Sequence, residues 1–127
     1  MEPRQQAQYL NSDDQKGLPF SEAVRVGDLL YLSGQIGREA SGQLAPGGIA
    51  AETRQTLENI RQTLERHGSS LDRVIRATVM LADMSEWAAM NAVYVTFFPA
   101  HLPARSAFGT SGLALGARVE IECTALA

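Results

Sequence analysis

The sequence contains one cysteine, Cys123, among 127 residues, which excludes an intramolecular disulfide and any metal site built from several thiolates. No apolar run approaches the roughly 20 residues needed to cross a bilayer, and no basic amphipathic helix is evident. Positive charge is thin: eleven Lys and Arg against fourteen Asp and Glu leave a net charge of -3. The basic residues are scattered, so phosphate backbones and anionic membranes are disfavoured partners. Neither a Gly-x-Ser-x-Gly elbow nor a phosphate-binding loop occurs, which argues against a serine nucleophile and against nucleotide binding. The stretch from Met1 to Leu18 is polar and has no signal-like apolar segment; together with the single thiol, this points to the cytoplasm.

What is present suffices for one domain. An apolar content of 45% over residues 1–127 supports a single core. Residues 1–18 lack periodicity and read as an irregular leader in which Tyr9 and Leu10 can pair with a sheet edge. Between Ser21 and Ser33, two apolar runs joined at Gly27-Asp28 predict a β-hairpin. Leu57, Ile60 and Leu64 recur at helical spacing, predicting a helix from Ile49 to His67 that Gly68 stops. Residues 72–84 are apolar on both alternating faces, as in a central strand buried on both sides. A second helix is expected from Glu86 to Phe98, with Trp87, Met90, Tyr94, Phe97 and Phe98 in one stripe and Pro99 ending it. An extended piece, Arg105 to Phe108, precedes a glycine-rich loop and a final strand alternating at Val119, Ile121, Cys123 and Ala125. The order β-β-α-β-α-β-β predicts an α+β domain with a mixed sheet and two helices on one face. Two helices cover one face only, so the other requires a second copy of the chain.

Several residues have chemical potential. Arg105, in Pro103-Ala104-Arg105-Ser106, is rigidly based, and its forked donors match a carboxylate; an intramolecular ion pair is the competing reading. Glu120 falls on the polar side of the last strand. It is either a solvated side chain or, if a partner covers it, a desolvated carboxylate suited to handling a proton. Asn91 lies beside the apolar stripe of the second helix, where its amide needs a partner in a loop backbone or a ligand. In Ser33-Gly34-Gln35, Gly34 would let a ligand approach the main chain. His67 reads as a cap of the first helix and His101 as a loop residue, neither with a metal-binding companion. Cys123 reads as an inert core thiol.

Taken in order, Gly17-Leu18-Pro19-Phe20-Ser21, Tyr31-Leu32-Ser33-Gly34-Gln35-Ile36-Gly37, Pro46-Gly47-Gly48, Asn91-Ala92-Val93-Tyr94, Pro103-Ala104-Arg105-Ser106 and Val119-Glu120-Ile121-Glu122 resemble the RidA (YjgF) family from about Gly17 to the C-terminus. The resemblance implies a chorismate-mutase-like fold assembled as a homotrimer, with ligand sites between subunits. It implies hydrolytic deamination of reactive 2-imino acids, such as 2-iminopropanoate and 2-iminobutanoate, to 2-keto acids and ammonia, without cofactor or metal. By position, Arg105 would bind the carboxylate and Glu120 would position the water. Main-chain groups near Gly34 and Ala107 would orient the imine, and Phe20, Ser33 and Asn91 would line the pocket. Two positions depart from the pattern: Phe20, where the family commonly has tyrosine, and Ala107, where cysteine, serine or threonine is common. Both changes make the pocket more apolar, favouring bulkier imino acids or weakening catalysis while sparing carboxylate binding. Two other functions remain open: a non-catalytic carboxylate-binding or regulatory module, and RNA cleavage, against which the acidic balance argues.

Overall fold

The structure is a computed structural model describing residues 6–13 and 17–127. Six strands form one sheet: β1 (Ala7–Leu10), β2 (Ala23–Val26), β3 (Leu29–Leu32), β4 (Val74–Leu81), β5 (Ala104–Gly109) and β6 (Val119–Leu126), in the order β1-β2-β3-β6-β4-β5. Only β4 and β5 run parallel; the other neighbours are antiparallel. The expected hairpin is β2-β3, whose turn uses Gly27 at a positive φ of 57°, a conformation that glycine adopts without steric cost.

Helix α1 (Ile49–Arg66) packs on the sheet through Leu57, Ile60 and Leu64, three residues with no exposed surface. Removing each such side chain from water stabilises the fold by about 1.5–3 kcal/mol. The helix ends at His67, and Gly68 then adopts a φ of 83°. Helix α2 (Trp87–Tyr94) lies beside α1 and contributes Met90 and Tyr94 to the same core. Beneath the helices lie Val74, Ala77, Val79 and Leu81 of β4 and Val119, Ile121, Cys123 and Ala125 of β6. The alternation read from the last strand is therefore the observed one, and the mixed sheet carries both helices on a single face.

Three expectations need correction. Tyr9 and Leu10 do pair with a sheet edge, opposite Val24 and Ala23, but they belong to a regular strand, β1, over residues 7–10 of the expected irregular leader. As an exposed edge strand of mostly uncovered residues, β1 lacks the apolar alternation by which strands are recognised. The second helix is shorter than Glu86 to Phe98: single 3-10 turns, Met84–Glu86 and Val95–Phe97, flank α2, the tighter winding that commonly ends helices. Finally, β4 is buried on one face only. Arg76, Thr78 and Met80 point to the opposite face, and Ile75, at a bulge between Val74 and Arg76, is exposed.

A buried carboxylate locks the hairpin to α1. Glu22 is 4% exposed; it accepts hydrogen bonds from Arg66 Nη1 at 2.5 Å and Ser12 Oγ at 3.3 Å, and pairs with His67 Nε2 at 2.6 Å. Arg66 lies in the last turn of α1, where positive charge complements the helix dipole. His67 is the C-cap of α1 through its backbone N–H, which donates to Leu64 O at 3.1 Å, while its imidazole, on Glu22, holds the loop that carries Phe20.

Candidate functional site

The register of β5 determines the direction of Arg105. Ala77 of β4 is its partner, and Ala77 and Val79 face the helices, so Arg105 and Ala107 face them too. There the guanidinium meets α2. Its Nη1 donates to Asn91 Oδ1 at 2.7 Å, and its central carbon lies 4.8 Å from the Tyr94 ring centre and 5.9 Å from that of Trp87. The three partners sit at positions 87, 91 and 94 of one helix stripe, the spacing that brings side chains onto one face. Ring faces attract the cation without neutralising it. Among the described residues Arg105 pairs with no carboxylate; the competing ion-pair reading therefore fails, and the remaining donors stay available.

Asn91 serves as an acceptor for Arg105 and does not bond to a loop backbone. Tyr94 is buried beneath the guanidinium. Burial, reinforced by Cys123 and opposed by Arg105, pushes its hydroxyl up to about 12, so the ring stays neutral. Sequence reasoning assigned Trp87 and Tyr94 to the core stripe and missed their contact with Arg105. The signal was present in their spacing from Asn91, but the partner strand was unknown. Ala107 packs partly against the core. Because β5 ends the sheet, half of its main-chain groups face away from β4 without a strand partner.

A second corner gathers Ser33, Gly34 and Glu120. Gln35 and Ile121 exchange backbone hydrogen bonds at 2.9 Å, which brings Gly34 against Glu120. A Cβ on Gly34 would lie 2.2 Å from Glu120 Oε2, so only glycine leaves room for this carboxylate. Ser33 ties the corner to the loop carrying Phe20: its Oγ donates to Ser21 O at 2.6 Å and its N to Glu22 O at 3.0 Å. Phe20 is 47% exposed, a large apolar surface left uncovered beside this corner. Partial burial, and secondarily the charge of Glu122, raise the Glu120 carboxyl above its ordinary value.

Within one chain the two corners do not meet. Glu120 lies opposite Met80, whose side chain points away from the helices, whereas Arg105 lies opposite Ala77, which points toward them. Two strand spacings and three residues along the strand put their Cα atoms roughly 14 Å apart. The structure brings Arg105 together with Asn91, and Glu120 together with Gly34 and Ser33, but leaves the two groups on opposite sides of the sheet. His101 binds Asp72 O at 2.8 Å, away from both. Cys123 is buried and its thiol pushed up to about 12, mainly by burial, which matches an inert core residue. No group of three or more His, Cys, Asp or Glu side chains placed to hold a metal occurs among the described residues, and no helix is long and apolar enough to cross a membrane.

Known proteins resemble this chain over most of its length. The family model described as Endoribonuclease L-PSP matches residues 15–127. The mouse 2-iminobutanoate/2-iminopropanoate deaminase is 43% identical over 109 residues, covering 85% of this chain and 81% of that protein. The crystal structure of RidA from the Antarctic bacterium Psychrobacter superposes with a TM-score of 0.83 at 33% identity, covering 94% of each chain. That of E. coli TdcF with bound serine gives 0.81 at 29% identity, covering 86% of this chain and 88% of that one.

Proposed function

This chain belongs to the Endoribonuclease L-PSP (RidA/YjgF) family, and we propose that it works as a 2-iminobutanoate/2-iminopropanoate deaminase, hydrolysing the C=N bond of 2-imino acids to give 2-keto acids and ammonia. The observation that carries the reading is Arg105, which pairs with no carboxylate among the described residues and is held by Asn91 and two ring faces with donors left over for a carboxylate.

The chemistry asks little of the protein. The imine carbon is already electrophilic, so anchoring the carboxylate on Arg105 and holding a water near C2 supplies most of what is needed. Glu120 accepts a proton from that water as the new C–O bond forms, and the imine nitrogen gains one. Glu120 returns the water proton to that nitrogen, giving a neutral carbinolamine; it then takes the hydroxyl proton and passes it to the amine as the C–N bond breaks, so that ammonia departs, the keto acid remains and the carboxylate is again ionised. A carboxylate whose pKa is raised by burial suits this relay better than a fully solvated one. Main-chain groups near Gly34 and Ala107 orient the substrate, and Phe20 and Ser33 line the cleft.

Arg105 and Glu120 act on one small molecule only if they come from different subunits. A cleft between neighbouring copies, as in a closed homotrimer, satisfies this and covers the open sheet face that bears Met80, Thr78 and Glu120. We assign the reaction to the cytoplasm, in keeping with a single buried thiol.

The test generates 2-iminopropanoate and 2-iminobutanoate in situ with an amino-acid oxidase or dehydratase and follows their decay. Wild type accelerates the decay and Arg105→Ala does not. Saturable binding of 2-keto acids without acceleration would instead identify a binding module, the reading that Phe20 and Ala107 favour.

A further inference from the structure

We propose that Trp87 is a specificity-determining residue that turns the site toward 2-imino acids with larger apolar side chains; the proposal rests on the deaminase reading above. Trp87 is the chain's one tryptophan and begins α2, one turn before Asn91. It is 43% exposed. A large ring left half in water, beside a cation with no carboxylate partner among the described residues, is surface still lacking an occupant.

The surroundings of Arg105 restrict how a ligand can arrive. Tyr94 closes the inner side of the guanidinium and is buried, while Asn91 occupies Nη1. Trp87, unlike Tyr94, is half exposed, and its ring centre stands 5.9 Å from the guanidinium carbon, within reach of a ligand held there. A carboxylate held by two parallel N–H···O bonds puts the first side-chain carbon of a 2-imino acid roughly 6–7 Å from that same carbon. The Trp87 ring lies at a similar distance from that carbon, so a side chain directed toward α2 can meet it. A methyl group barely reaches the ring, whereas a branched four-carbon chain can lie across it and remove apolar surface of both partners from water. The missing polar side chains at Phe20 and Ala107 act in the same direction, since neither offers a hydroxyl or thiol to a small polar substrate.

The experiment compares imines generated from leucine and from alanine by an amino-acid oxidase and reads the ratio of their kcat/KM values. Trp87→Ala should lower the leucine-to-alanine ratio about tenfold, the usual discrimination for apolar groups in a pocket, and Trp87→Phe should give an intermediate ratio. An unchanged ratio in both variants overturns the proposal, as does an equal loss on both substrates, which would mean that Trp87 merely steadies Arg105. A binding arm separates this result from failure of the deaminase reading. Quenching of Trp87 fluorescence by 4-methyl-2-oxopentanoate should saturate at about tenfold lower concentration than with 2-oxopropanoate, whether or not the protein hydrolyses imines. Equal affinities for the two acids reject the subsite.

Discussion

Arg105 and Glu120 stand on opposite faces of one sheet, with β4 between their strands and their register partners, Ala77 and Met80, three residues apart. No side-chain rotation brings both onto a ligand of four or five carbons, because strand alternation fixes the face from which each emerges. Each chain thus carries two separate clusters: Arg105 with Asn91, Tyr94 and Trp87 on β5 and α2, and Glu120 with Gly34 where the Gln35–Ile121 bridge meets β6; in the proposed reaction the first anchors the substrate and the second handles the proton.

Mixed assemblies test that division. Arg105→Ala and Glu120→Gln should each be inactive alone, each having lost one half-site. Unfolded and refolded together in equal amounts, they should recover activity at about a quarter of the intersubunit sites, where an intact Arg105 meets an intact Glu120 across an interface. Imine decay before and after mixing reads the outcome, and an absence of recovery would place both groups in a single-chain site.

Asn91 accepts from Arg105 and leaves its charge intact. Asn91→Ala should loosen the guanidinium and lower kcat/KM about tenfold, the cost of one hydrogen bond to a charged group. Asn91→Asp should do more damage although its shape is nearly unchanged, because a carboxylate at this position pairs with Arg105 and competes with the substrate. Titration with a 2-keto acid should show weaker binding for the aspartate variant than for the alanine variant.

The sequence made some elements plain and hid others for identifiable reasons. The alternation at Val119, Ile121, Cys123 and Ala125 is direct, because half-burial writes itself into every second residue of a strand. The strand at Ala7–Leu10 is nearly all exposed and leaves no such imprint. β5 was visible as an extended piece, but the direction of Arg105 depends on pairing with β4, nearly thirty residues earlier in the chain, and no local pattern encodes it. The same long-range register turned the Trp87 and Tyr94 stripe, read as core, into one that continues past the core to the cation. For Glu120, alternation gave the correct face, while its contact with Gly34 emerged only with the Gln35–Ile121 bridge.

Gly34→Ala probes that contact. The added carbon would overlap Glu120 Oε2 at 2.2 Å, and the carboxylate, as the far end of a flexible side chain, can swing aside. Stability should therefore change by less than about 1 kcal/mol, whereas a carboxylate displaced by about an ångström should reduce kcat about a hundredfold. Thermal melting and imine decay on the same protein separate the two effects; a parallel loss of both would mean that Gly34 serves folding.

Glu120 should also reveal itself in the pH dependence of stability. Partial burial first, and the nearby charge of Glu122 second, raise its pKa in the folded state. The folded protein then binds this proton more tightly than the unfolded chain, so stability falls as pH rises from the unfolded pKa through the folded one. Above that window the ionised Glu120 is a standing cost to the fold, whereas below the unfolded pKa both states are protonated and the cost vanishes. Glu120→Gln mimics the protonated form at every pH. It should melt at a higher temperature than wild type at pH 7, with the difference closing as the pH drops below the ordinary carboxylate range. Activity has the opposite requirement, since only the ionised carboxylate can accept a proton from water, so the acid limb of kcat/KM should lie above the pH expected for a solvated glutamate. Glu122→Gln, which removes the second cause of the shift, should move that limb toward lower pH; a limb that stays fixed would remove Glu120 from the proton relay.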